Sequence, residues 1–184
     1  MTNALRYTIV ESPVGPLRLA HGGDGLCALQ FLGGRRPAEP LAGAVRDDEA
    51  LAGAVAEVEE YFAGARREFT ARVALSGTPF QRCVWEELRR IPYGETISYA
   101  ELARRIGSPK AVRAVGLANG ANPVAIIVPC HRVIGANGTL TGYGGGLPTK
   151  RYLLDLERRV RPGSEEGQTG VRRGSDRGQT VFSY

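Results

Sequence analysis

Residues 98–120 have the sequence SYAELARRIGSPKAVRAVGLANG, which contains the strongest secondary-structure signals in the chain. Ser98 and Glu101 match the capping-box pattern, which predicts the start of a short helix. A glycine ends this helix, and Ser108 followed by a proline predicts the cap of a second helix that stops near Gly120. Two short helices joined by a tight turn are typical of a helix-turn-helix motif, although many helical hairpins bind nothing.

Basic side chains are concentrated around this motif. Residues 1–77 carry a net charge of −2, residues 78–160 carry +6 and residues 161–184 carry +1. A basic segment that includes a helix-turn-helix favours a polyanionic partner. The alternative is an arginine-rich surface that is simply exposed to solvent.

The residues that precede the basic segment predict a small α+β domain without visible chemistry. Alternating apolar positions indicate a β-meander, then a helix and a short strand. These elements are expected over residues 7–11, 16–20, 26–32, 51–62 and 69–73. Asp47 or Asp48 is the expected N-cap of the helix. In the third strand Cys27 alternates with Leu29 and Phe31, so we predict that its thiol fills the core.

A second unit begins with Thr78-Pro79-Phe80-Gln81. This run predicts a capping box with a proline in the first turn of a helix. Cys83 adjoins the apolar stripe of that helix and is also predicted to be structural.

The second unit then brings a cysteine to the end of an apolar run. Residues 124–128 are continuously apolar and rich in β-branched side chains, which predicts a buried strand that leads to Pro129 and Cys130. A final helix is predicted over residues 148–160, and the residues after it lack an apolar pattern. The predicted units are an N-terminal α+β domain, a C-terminal domain and a disordered tail, over residues 1–77, 78–160 and 161–184.

Cys130 is the candidate nucleophile because a histidine and an arginine follow it. A thiol with a pKa near about 8.5 is mostly protonated at neutral pH, so it needs a base or a positive charge beside it. His131 could be that base, directly or through one water, but direct contact requires a turn because strand neighbours point to opposite faces. Glu157, on the apolar face of the last helix, could orient His131. The alternative for Glu157 is a salt bridge to Arg132 or Arg151.

Composition and spacing exclude several other classes of protein. The three cysteines form no C-x-x-C pair, and two histidines are too few for a zinc cluster. No apolar run approaches the roughly 18 residues of a membrane span. Thr149 precedes Lys150 after the glycines at 144–146, which is the wrong order for a nucleotide-binding P-loop. We therefore expect a cytoplasmic protein with no metal, no cofactor and no membrane contact.

Together these motifs resemble those of the O6-alkylguanine-DNA alkyltransferases, the methylated-DNA–protein-cysteine methyltransferases. The most specific part is the active-site run from Asn122-Pro123 to Pro129-Cys130-His131-Arg132. Other matching motifs are Pro92-Tyr93-Gly94, Ser98-Tyr99, Arg113-Ala114-Val115-Gly116, Thr141-Gly142-Tyr143 and Leu153-Leu154.

The resemblance is strong over residues 78–158, while the first domain matches only in general layout. The implied fold is α+β, with an N-terminal ribonuclease H-like α/β domain followed by a mostly helical C-terminal domain that contains the helix-turn-helix.

The resemblance also implies a role for each residue of the site. Cys130 would accept the alkyl group, His131 would act as a water-mediated base and Glu157 would orient that base. Asn122 would brace the loop before the cysteine. The flipped guanine would be held by the Tyr99 hydroxyl, the Gly144 amide, the carbonyls of Cys130 and Val133, and the Tyr143 side chain.

In this family the second helix of the motif lies in the minor groove, where small side chains fit. Arg113 would fill the gap left by the flipped nucleotide, and Ser98, Lys110 and Ala114 would contact the DNA. The implied partner is double-stranded DNA bearing O6-alkylguanine, bound by a monomer with weak sequence preference.

The implied function is irreversible transfer of one alkyl group per molecule to Cys130. A non-catalytic, alkyltransferase-like lesion sensor is one alternative, but such proteins replace the reactive cysteine, often with tryptophan. A Cys-His hydrolase is another, but it would turn over repeatedly and would have no use for the helix-turn-helix.

Overall fold

The computed structural model describes residues 4–34, 38 and 41–159. Its first part is a four-stranded sheet in the order β3-β2-β1-β4, followed by helix α1. The ranges are Arg6–Val10 for β1, Leu17–Gly22 for β2, Gly25–Phe31 for β3, Val45–Arg46 for β4 and Ala52–Phe62 for α1. The first three strands form an antiparallel meander, as predicted, and β4 pairs with β1 in parallel.

Strand β3 lies at one edge of this sheet, and two later segments of the chain pair with that edge. The chain pairs with it at two points: Val73 forms a parallel bridge with Leu26, and Val124 forms one with Leu29. Both faces of β3 carry buried side chains, because Leu26 and Ala28 are buried as well as Leu29. The alternation of Cys27, Leu29 and Phe31 marked one buried face, whereas the structure buries side chains on both faces of β3.

Three predictions for the N-terminal part need correction. The expected strand over residues 69–73 is reduced to the single bridge at Val73. Helix α1 follows Leu51, which has no side-chain cap, and Asp47 instead accepts a hydrogen bond from the Ala50 amide in the preceding turn (2.9 Å). Cys27 is only half-buried, and its thiol donates to the Ala20 carbonyl (3.4 Å).

Helix α2 (Pro79–Leu88) begins with the predicted capping box. The Gln81 amide donates to Thr78 Oγ1 (3.2 Å), and the Thr78 amide donates back to Gln81 Oε1 (2.9 Å). The buried face of α2 carries Val84, Trp85 and Leu88. Cys83 is exposed, so the prediction that this thiol is structural was wrong.

The helix-turn-helix consists of α3 (Tyr99–Arg105) and α4 (Val112–Gly120), which pack against each other. Ser98 caps α3 by accepting a hydrogen bond from the Glu101 amide (3.0 Å). Only this half of the predicted capping box forms, because the Glu101 carboxylate pairs with Arg104 and Arg105. Ser108 does not cap α4, because the chain first makes a turn closed by the Ala111 amide on the Ser108 carbonyl (2.8 Å). The second helix therefore starts three residues later than the serine–proline pattern suggested.

Two short strands and a helix complete the described chain. Strand β5 (Ile97–Ser98) pairs in parallel with β6 (Val133–Ile134), and helix α5 spans Leu147–Arg159. The predicted tail, residues 161–184, lies outside the described residues, and the domain boundaries stay a prediction. None of the helices described here is long and apolar enough to cross a membrane.

The two serines of the helix-turn-helix give a stability test. We expect Ser98→Ala to lower the free energy of unfolding by about 1 kcal/mol, since the first turn of α3 loses its side-chain acceptor. Ser108→Ala is the matched control and should change it by less than about 0.5 kcal/mol. Chemical denaturation of both variants measures the difference, and equal losses would contradict the assignment of caps.

Candidate active site

The segment before Cys130 is a buried turn and not the predicted strand. The Val128 amide donates to the Val124 carbonyl (3.0 Å), which closes residues 124–128 into a loop. Ile126 has a φ of 70°, a conformation that a β-branched residue rarely adopts. A continuous apolar run indicates burial but does not distinguish a strand from a buried turn, which is why the predicted element was wrong here.

Asn122 holds this turn together from inside. Its Oδ1 accepts a hydrogen bond from the Val124 amide (3.0 Å), and its Nδ2 donates to the Val128 carbonyl (2.7 Å). One side chain therefore bonds both ends of the turn, which offsets the strained backbone at Ile126. The edge of β3 supports the turn from outside, since the Leu29 amide donates to the Pro123 carbonyl (2.9 Å).

Cys130 begins a single turn of 3₁₀-helix, Cys130–Arg132. Burial raises the pKa of its thiol, while the side chains of Asn122 and Tyr143 and the charge of Lys150 act in the opposite direction. The thiol is therefore protonated at neutral pH and requires a proton acceptor to react. It lines a cavity of about 270 Å³.

His131 is completely buried beside the cysteine. Its Nε2 faces Glu157 Oε1 at 2.8 Å, whereas its Nδ1 is buried without a hydrogen-bond partner among the described residues. Burial lowers the pKa of His131, and this outweighs the opposing effect of Glu157, so the ring is neutral at pH 7. Because a carboxylate only accepts, the proton lies on Nε2, and Nδ1 is free to act as a base.

Glu157 contacts more than the histidine. Arg132 pairs with both of its oxygens through Nε and Nη2, each at 2.9 Å. The Tyr61 hydroxyl donates to Oε1 (2.8 Å) and the Gly94 amide donates to Oε2 (3.0 Å). The sequence left open whether Glu157 orients His131 or pairs with Arg132, and the carboxylate does both.

These donors determine the charge state of Glu157. Burial would raise its pKa, but the hydrogen bonds and positive charge from His131 and Arg132 lower it far below the usual range. The carboxylate therefore stays ionised although it is fully buried.

Lys150 is a functional candidate that sequence reasoning missed. Its side chain is fully buried, and its Nζ donates to the carbonyls of Val133 (2.6 Å) and Thr141 (3.4 Å). Burial lowers its pKa to about 8, and the charge of a Cys130 thiolate would raise it. The signal was present, because Lys150 lies one turn before Leu153 on the apolar stripe that also carries Glu157.

The structure brings part of the predicted site together around the cavity. The cavity is lined by Cys130, Asn122, Tyr143 and Gly144, and also by Asn119, which sequence reasoning did not single out. Val133 is buried with its carbonyl on Lys150, and Tyr99 lies beside the same lysine, with Nζ 5.9 Å from its ring centre. Neither Tyr99 nor Val133 lines the cavity itself, but the same lysine lies 6.0 Å from the ring centre of Tyr143, which does.

The predicted DNA contacts are at the surface of the helix-turn-helix. Lys110, Arg113 and Ala114 are exposed, while Ser98 is half-buried and caps α3. Leu117 is 71% exposed, one turn after Arg113 on the same face of α4. An exposed leucine on this face is a second feature that sequence reasoning did not single out.

Family models match nearly the whole described chain. Residues 5–75 match the ribonuclease-like domain of 6-O-methylguanine DNA methyltransferase, and residues 79–159 match its DNA-binding domain. The chain is 52% identical over 151 residues to a methylated-DNA–protein-cysteine methyltransferase of Methanosarcina acetivorans, covering 82% of this chain and 97% of that protein. It is 53% identical over 159 residues to one of Mycobacterium tuberculosis, covering 86% and 95%.

A solved structure agrees with these matches. The crystal structure of Mycobacterium tuberculosis OGT in complex with DNA superposes with a TM-score of 0.80 at 52% identity, covering 86% of this chain and 96% of that one. The two-part fold predicted from the sequence is thereby confirmed.

Replacement of Glu157 by glutamine tests its charge. We expect Glu157→Gln to lower the free energy of unfolding at neutral pH by about 3 kcal/mol, because Arg132 is left buried without a counter-charge. The pKa of Glu157 is lowered in the folded state, so its contribution is present above its unfolded value of about 4.5 and is lost as the pH falls below it. Urea unfolding should be measured from neutral to acidic pH. The difference in free energy of unfolding between wild type and variant should decrease as the pH falls below that value.

The control for this experiment is Asp155→Asn on the exposed side of the same helix, where the carboxylate is 3.6 Å from Arg158. It should unfold like the wild type at every pH. If the difference in free energy of unfolding between wild type and Glu157→Gln stayed constant down to acidic pH, an ionised Glu157 would be contradicted.

Proposed function

This chain belongs to the methylated-DNA–protein-cysteine methyltransferase family, and on that basis we propose that it repairs O6-alkylguanine in duplex DNA by taking the alkyl group onto Cys130. The observation that carries the residue assignment is the cavity lined by Cys130, with the neutral base His131 held beside it by Glu157. The thioether product is stable, so each molecule reacts once.

Transfer exchanges one bond for another. The sulfur of Cys130 forms a bond to the alkyl carbon, the bond from that carbon to O6 breaks, and guanine leaves. The thiol proton passes to His131 Nδ1, through a bridging water, because no hydrogen bond between described atoms joins the two side chains directly. Glu157 stabilises the imidazolium that forms, as in other nucleophile–base–acid arrangements.

The departing guanine carries developing negative charge that donors in the pocket stabilise. Thr141 Oγ1 donates to the Tyr99 hydroxyl oxygen (3.2 Å), which leaves the proton of Tyr99 for the base. The backbone amide of Gly144 donates a hydrogen bond to O6, and the Tyr143 side chain lines the pocket. The carbonyl of Val133 accepts from the exocyclic amine, while Asn122 keeps the loop before Cys130 in place.

Lys150 adds a positive charge to this arrangement. An ammonium that is buried near the sulfur stabilises the thiolate that forms during transfer. Its bond to the Val133 carbonyl (2.6 Å) also fixes an acceptor of the pocket. We assign Lys150 a positioning and electrostatic role.

DNA is bound by the helix-turn-helix, with α4 in the minor groove. The target atom lies inside the base stack, so the nucleotide must be extruded from the stack, which costs roughly a few kcal/mol. Arg113 takes the place of the extruded nucleotide, and Ala114 permits close approach of the helix. Lys110 and Ser98 contact the DNA beside α4. The expectation of a monomeric, cytoplasmic protein stays a prediction.

The acceptor residue can be identified by mass. After incubation with an oligonucleotide that contains O6-methylguanine, we expect wild-type protein to gain the mass of one CH₂ unit, on the peptide that carries Cys130. Cys130→Ala should gain nothing, while Cys83→Ala, which removes an exposed thiol, should react like wild type. Labelling of Cys130→Ala, or repeated turnover by the wild type, would disprove the mechanism.

The role of Arg113 is tested by comparing two substrates. Arg113→Ala should slow transfer from duplex O6-methylguanine by about tenfold or more, because the extruded state loses the side chain that fills the stack. Transfer from free O6-benzylguanine should change much less, since no base needs to be extruded. Arg72→Ala, an exposed arginine of the N-terminal part, is the charge-matched control. Equal losses on both substrates would rule out the stack-filling role.

A further inference from the structure

Asn119 is a buried amide in the wall of the cavity. It lies near the end of α4 and is 3% exposed. It lines the cavity together with Cys130, and the next three residues along the chain do the same. None of the roles assigned above uses this side chain.

Hydrogen bonding fixes which way the amide points. Nδ2 of Asn119 donates to the backbone carbonyl of Cys130 (3.4 Å). A carbonyl oxygen only accepts, so the nitrogen must face it and the amide cannot be flipped. Oδ1 then points elsewhere, and it is buried without a hydrogen-bond partner among the described residues.

The other amides that line the cavity differ from Asn119 in this respect. Both polar atoms of Asn122 bond to the backbone of the turn before Cys130. Gln30 Oε1 accepts from Arg18 Nη2 (2.6 Å). A buried acceptor without a partner costs free energy, and because Asn119 lines a binding cavity, a donor of the bound base can supply the missing hydrogen bond.

The chemistry of the base identifies that donor. Once O6 carries an alkyl group, N1, N3 and N7 of guanine all present lone pairs, and the exocyclic amine at C2 is the only N–H donor of the base. This amine has two hydrogens. The Val133 carbonyl accepts from Lys150 and keeps a lone pair for one of them, whereas the Cys130 carbonyl already accepts from Asn119 Nδ2, so the second hydrogen is available to Asn119 Oδ1.

We propose that Asn119 Oδ1 accepts a hydrogen bond from the exocyclic amine of the flipped base and makes Asn119 a specificity-determining residue. This inference rests on the proposed function. A base without that amine leaves Oδ1 buried and unpaired, so it is disfavoured even though its alkyl group is equally reactive. The same argument disfavours O4-alkylthymine, which has no N–H donor.

The test compares O6-methylguanine with O6-methylhypoxanthine, which lacks only the amine, each in a single-stranded oligonucleotide so that extrusion from a duplex does not contribute. The quantity measured is the ratio of the second-order rate constants for the two substrates. Wild type should prefer O6-methylguanine. In Asn119→Leu this preference should fall by about tenfold, the value of one hydrogen bond, through slower transfer from O6-methylguanine.

Gln30→Leu is the matched control, because it removes an amide from the same cavity whose oxygen already has a partner. Its ratio should equal that of wild type. Both rate constants come from one protein sample, so a loss of folded molecules lowers both and leaves the ratio unchanged. Asn119→Ala serves as a second variant that adds no new bulk.

An unchanged ratio in both Asn119 variants, or an equal slowing of both substrates, would overturn the proposal and leave Asn119 a structural residue. If instead the wild type transfers from neither substrate, the proposed function itself fails. The two failures are distinguished by whether wild type or only the variant is affected.

Discussion

One buried carboxylate organises this protein. Glu157 receives five hydrogen bonds from Tyr61, Gly94, His131 and Arg132, which come from α1, the loop after α2 and the 3₁₀ turn. An ionised carboxylate can be buried only if donors replace the water that it loses, so the five bonds are a condition of the fold. In meeting that condition, the protein also fixes the orientation and tautomer of His131. Stability and chemistry here depend on the same group.

The site is built from both halves of the chain, although only the second half carries the reactive groups. The edge of β3 hydrogen-bonds to the loop before Cys130, and Phe31 packs on Tyr143 with ring centres 5.7 Å apart. A Cβ atom on Gly145 would lie 2.9 Å from the Phe31 ring, so the glycine is needed for the loop to reach the sheet. The N-terminal part thus forms a wall of the cavity and holds the active-site loop in place.

Burial explains how a nucleophilic thiol remains unreactive until substrate arrives. The pKa of Cys130 is raised by burial, so little thiolate is available to be oxidised or to react with other electrophiles. The neutral His131 and the ammonium of Lys150 act only when the proton leaves the sulfur. This protection matters in a protein that reacts only once, because each side reaction inactivates one molecule before it can repair DNA.

The sequence by itself determined the elements whose signals are local: the capping box of α2, the Ser98 cap of α3, the helical stripes, the glycine stops and the Pro129-Cys130-His131-Arg132 run. It did not determine the path of residues 124–128, since an apolar run is the same for a buried strand and a buried turn. It left the partners of Glu157 open and gave no role to Lys150 or Asn119. Those were decided only by tertiary structure, because hydrogen-bond partners far apart in the chain are chosen by which polar groups the packing buries together.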